Sequence, residues 1–68
     1  MIRYELRRDM ASGVLYMTQQ TGSIYSLSKF LNRDGAWTYS NRRVIDLWVD
    51  PVTVLVARNV VFKKGRLC

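Results

Sequence analysis

A chain of 68 residues holds one domain, and its 49% hydrophobic and 24% charged content excludes intrinsic disorder. Eleven basic residues against five acidic give a net charge of +6, eight of the eleven being arginine. Histidine is missing and the single cysteine is Cys68, which excludes the usual zinc site, the usual Ser-His or Cys-His nucleophile pair and a disulfide framework.

The opening residues, Met1-Ile2-Arg3-Tyr4-Glu5-Leu6, alternate apolar and charged side chains, the period of a half-buried strand. Turn-forming residues at 9–13 and a second alternating run at 14–19 complete a hairpin with a loop of about five residues. Ser23 then reads as the N-cap of a short helix in which Ile24, Leu27, Phe30 and Leu31 share a face, ended by Asn32 and Gly35. Trp37 and Tyr39 begin a third strand, and Ser40-Asn41 reads as a turn. Segment 43–49 is ambiguous. As a strand it turns Ile45, Leu47 and Val49 inward; as a helix it groups Val44, Ile45 and Trp48. Its β-branched content favours the strand, and Pro51 ends either one. Segment 52–57 is apolar on both faces, as in a central buried strand. Arg58-Asn59 reads as a two-residue turn into an edge strand at 60–64 that leads to a basic tail. The expected fold is α+β: a small, bent antiparallel sheet or open barrel of about five strands with one short helix, in the order ββα then βββ. A winged-helix arrangement is the rival.

Few residues offer chemistry. Asp46 and Asp50 have the i, i+4 spacing of a helical cation site, but such aspartates are far more often solvated or capping groups. Ser26-Leu27-Ser28-Lys29 and the Tyr25–Lys29 pair match catalytic spacings that carry meaning only within much larger enzymes. Neither an enzyme nor a cofactor or metal is expected. No window approaches the ~20 apolar residues of a membrane span. The charged N-terminal residues do not form the apolar core of a signal peptide, so no membrane partner and a cytoplasmic location are expected. A domain this small buries about 60% of its unfolded surface, and without disulfide or metal a homodimer or assembly onto a larger partner is expected.

What remains is arginine interleaved with aromatics. Trp37, Tyr39, Arg42 and Arg43 lie within seven residues of one another. Aromatics exposed on a sheet stack bases while neighbouring cations hold phosphates. Arg58 and the tail residues Lys63, Lys64 and Arg66 would add phosphate contacts, whose strength comes from counterion release. The competing reading makes Trp37 and Tyr39 core residues and Arg42-Arg43 a solvated turn. Arg3, Arg7 and Arg8 form a second basic group that serves equally to protect a sheet edge. Two functions follow. One is a small non-enzymatic regulatory or accessory protein that binds DNA or RNA through Arg42, Arg43, Lys63, Lys64, Arg66, Arg58, Tyr39 and Trp37. The other is a modulator or inhibitor, of the kind phages and mobile elements encode, that lays a basic aromatic face on an acidic patch of a larger protein.

Overall fold

Strands β1 (Tyr4–Asp9) and β2 (Leu15–Gln19) form in the two alternating segments. Asp9 makes the turn between them. Its Oδ1 accepts the N–H groups of Ala11 and Ser12 at 2.9 and 3.1 Å. Gly13 follows at φ 77°, where glycine has no Cβ to clash. The computed structural model of the chain describes residues 1–63 and 66–67, the side chains at 63, 66 and 67 excepted.

The helix expected over 24–31 is replaced by turns and by strand β3 (Leu27–Leu31). The helical spacing of its apolar residues competes with a buried polar one, Ser28. The Ser28 hydroxyl lies 2.7 Å from Ser40 Oγ and 2.9 Å from the Arg42 carbonyl, both on strand β4 (Trp37–Arg43). A buried hydroxyl with partners across a strand pair holds the segment in the sheet. Asn32 and Gly35, expected as helix terminators, close the β3–β4 hairpin instead. Asn32 Oδ1 accepts the N–H groups of Asp34 and Ala36, and Gly35 sits at φ 81°. β4 continues through Ser40-Asn41, where a turn was expected, with an irregularity there: residues 40–42 oppose Ser28 alone.

The helix comes later, as α1 (Val44–Val49), in the segment whose composition favours a strand. Its first turn is satisfied from outside itself. The Asp46 carboxylate accepts the Arg43 N–H at 2.9 Å and the Arg43 guanidinium at 3.1 and 3.2 Å. The N–H groups of Val44 and Ile45 donate to the carbonyls of Ser26 and Ile24, each at 2.9 Å. Val44 and Leu47 are buried; Val49, expected inward, is exposed. The helix does stop before Pro51.

Strands β1 to β4 form a meander, and α1 carries the chain back across the sheet to the free side of β1. There β5 (Thr53–Val60) pairs antiparallel with β1, giving the order β4-β3-β2-β1-β5. The strand expected to be central and buried is thus an edge strand, with Val54, Leu55 and Val56 exposed. It is also irregular. Arg58 and Asn59 are no hairpin turn: together they oppose Glu5 as a bulge, with Asn59 at φ 57° and bonded through side chain and backbone to Gln20. The edge strand expected over 60–64 is divided. β5 ends at Val60, and the short β6 (Phe62–Lys63) pairs with β7 (Arg66–Leu67) in a separate ladder. The architecture is one open antiparallel five-stranded sheet with one short helix, mostly sheet, the helix following four strands instead of two.

Directly opposed residues of antiparallel strands share a face. The registers therefore put Glu5, Arg7, Asp9, Tyr16 and Thr18 on one side, which α1 covers with the fully buried Leu47. Tyr4, Leu6, Met17, Lys29, Trp37 and Tyr39 lie on the other side. There Leu6 and Met17 are buried, and Phe62 packs edge-on to Tyr4 and Trp37 at 5.2 and 5.7 Å.

Candidate polyanion-binding face

Charge divides between the two faces. On the helix side each carboxylate has an arginine. Buried Glu5 accepts from Arg7 Nη2 and pairs with Arg58 Nε, both at 3.0 Å. Arg42 reaches inward between Asp9, at 3.1 Å, and Asp50, at 2.5 Å, with its guanidinium carbon 5.1 Å from the centre of the Tyr16 ring. Arg43 pairs with Asp46. The Asp46 carboxyl is held below its ordinary value, first by the Arg43 side chain and then by the Arg43 N–H. Asp9 is lowered too, first by the Ser12 N–H, with Ala11 and Arg42 adding to it against a desolvation cost. Adjacent in sequence, Arg42 and Arg43 therefore part company: one ties strand to helix, the other caps the helix.

Four carboxylates and four arginines neutralise one another here, so the formal excess of +6 falls on the rest of the chain. Among the described side chains, Arg3, Arg8, Lys29 and Arg33 make no ion pair. Alternation puts Arg8 on the open face beside Leu6, and Lys29 stands at its centre, opposite Tyr39. Arg33 is in the β3–β4 loop. Among the described residues the strands bring no carboxylate to this face, Glu5 and Asp9 lying on the other, and Asp34 is in the same loop as Arg33.

Tyr39 is 67% exposed, and the Lys29 ammonium lies 4.7 Å from the centre of its ring, within cation–π range. Trp37, the other aromatic expected to stack, is half-buried against Phe62. Two grooves of about 460 and 470 Å³ flank this centre and share Tyr4, Met17 and Lys29 in their walls; Tyr39 lines one and Trp37 the other. A third, of about 270 Å³, runs between Arg8 and Arg33 past Leu15 and Leu31. The chain matches no family model, no curated protein and no solved structure.

Of the residues expected at the site, Tyr39 and Trp37 share the open face; Arg42 and Arg58 are engaged by carboxylates on the other side, and Arg43, opposite Leu27 in the β3–β4 register, is engaged by Asp46. Lys63, Lys64 and Arg66 lie outside the described side chains. Lys29 and Arg33 were missed, and Arg8 was read only as one of a second basic group with Arg3 and Arg7. The signal for Lys29 was the period-2 run Leu27-Lys29-Leu31, which makes it a face residue in a strand and a solvated one in a helix. Among the described residues no helix is long and apolar enough to cross a membrane.

Proposed function

We propose that this chain is a stoichiometric, non-enzymatic binder of single-stranded nucleic acid, and that the strand lies across the open face. The observation that carries the reading is Tyr39, an exposed ring with Lys29 over it, on a face to which the described strands bring no carboxylate and whose described cations make no ion pair. A base stacks on such a ring whatever its sequence, contributing ~1–3 kcal/mol, while Lys29, Arg8 and Arg33 take phosphates. The grooves on either side of the Tyr39–Lys29 pair follow the direction across the strands and give the backbone a path.

The test is a titration of labelled single-stranded DNA and RNA at two salt concentrations. Tyr39→Ala should weaken binding by roughly 10- to 100-fold, the loss of one stacked base. Lys29→Gln should weaken it and flatten its salt dependence. Arg58→Gln, on the neutral side, should leave affinity within about twofold. Affinity no better than about 10⁻⁴ M at low salt would sink the proposal. An acidic protein patch offers the same charge but no bases, so binding lost with Lys29 and indifferent to Tyr39 would point there instead.

A further inference from the structure

The outer edge of β5 is bare along half its length. From 51 to 57 the strand carries no charged residue, and Val52, Val54, Leu55 and Val56 are all 40–50% exposed. On the helix side Trp48, 47% exposed, and Val49 extend the same apolar strip; Arg7, which lies opposite Leu55 in the β1–β5 register, is 6.0 Å from the Trp48 ring. The far end of the strand is guarded. The bulge at Arg58-Asn59, clamped by Gln20, breaks the ladder there, a common way of blunting an edge. From Val52 to Leu55 that protection is missing among the described residues, with no charged side chain and no proline; a second, smaller irregularity lies at Val56, between the Leu6–Ala57 and Arg7–Leu55 pairs.

We infer that this edge pairs with the same edge of a second copy, antiparallel, to make a continuous ten-stranded sheet. Charge selects the occupant. In a chain of +6, two copies meet through the surface that carries least net charge, and the helix side of this strip qualifies: arginines 7, 42, 43 and 58 are each paired with a carboxylate of their own chain, while the unpaired Arg8, opposite Val54, stands on the open face. The same neutrality leaves a polyanion nothing to hold on the helix side, where Leu55 lies, whereas Val54, opposite Arg8, borders the open face. The core supplies the second argument. Among the described residues only Leu6, Met17, Val44 and Leu47 are buried large apolar side chains, fewer than the six on the strip. Burying apolar strips against one another adds the stabilisation that a small core lacks. An interface of standard size takes ~800 Å² per partner, about a sixth of the 4851 Å² this chain exposes. A strand edge flanked by a helix side is a surface of that kind.

The decisive measurement is the mass in solution by sedimentation equilibrium, at moderate salt and up to hundreds of micromolar. The wild-type chain should be a dimer. Leu55→Glu and Val56→Lys, one lowering and one raising the net charge, should each return it to a monomer with an unchanged far-ultraviolet circular dichroism spectrum and a red-shifted Trp48 emission. A wild-type monomer throughout that range would overturn the inference. So would a dimer that survives both substitutions. The inference stands apart from nucleic-acid binding, since neither residue lies in the grooves of the open face and mass is measured without a ligand.

Discussion

Arg42 shows how one side chain joins parts of a small fold that are distant in sequence. It leaves the end of β4, crosses the Tyr16 ring, and bonds to Asp9 in the first hairpin and Asp50 beyond the helix. Arg42→Met keeps the stem and leaves two part-buried carboxylates facing each other. A loss of about 1–2 kcal/mol is expected, discounted for the water that still reaches the site. The effect of pH has a definite sign. Asp9 titrates below its unfolded value, so its contribution is complete above about pH 4 and lost as pH falls through the lower folded value. Thermal melts of the wild-type chain should therefore weaken on acidification below pH 4. In Arg42→Met the weakening should be shallower yet still present, because the Ser12 and Ala11 N–H groups continue to hold the Asp9 carboxylate. Equal slopes would show that Arg42 does not contribute to the Asp9 shift. No local pattern announces this arginine. Beside Arg43 it reads as half of a basic cluster, and only Asp9, 33 residues away, reveals its role.

The first hairpin was legible in the sequence because what makes its turn is local: alternation, an aspartate that accepts the N–H groups of the residues two and three on, and a glycine at positive φ. Helix and strand were exchanged at 24–31 and 43–49 because what distinguishes them is not local. Ser28 belongs to the sheet through Ser40 and Arg42, and α1 begins where Ser26 and Ile24 receive its N–H groups. Six residues rich in β-branched side chains would not hold a helix alone. Packing holds it: Leu47 is completely buried beneath the helix, and the Thr53 hydroxyl donates to the Leu47 carbonyl. Leu47→Ala should cost about 2–5 kcal/mol. That is a large share of the few kcal/mol available to so short a domain. Urea denaturation should show the midpoint collapsing, while Ile45→Ala, only partly buried on the same helix, should move it much less. Similar shifts for the two would mean that α1 is not anchored through Leu47. The error at 52–57 has another origin. A strand apolar on both faces reads as central, and here the same pattern serves an edge that the chain reaches only after crossing the sheet.

At the scale of the molecule, the two proposed surfaces are coupled by symmetry. When a strand edge pairs antiparallel with its own copy in one continuous sheet, the two-fold axis stands perpendicular to that sheet, so a given face of both copies points the same way. Both open faces, each with Tyr39, Lys29, Arg8 and Arg33, would then lie on one side of the ten-stranded sheet, and α1 of each copy on the other. This predicts a signature in the salt dependence. Each phosphate contact on a single strand contributes about −0.7 to the slope of log affinity against log salt, so three contacts give about −2 and six give about −4. An oligonucleotide long enough to cross both faces should therefore show the steeper slope with the wild-type chain, and a short one the shallower. Leu55→Glu and Val56→Lys, which separate the copies and shift net charge in opposite directions, should both flatten the long oligonucleotide's slope to that of the short one. If only one of them does so, net charge rather than pairing sets the slope. If neither does, the two faces do not act on a common strand.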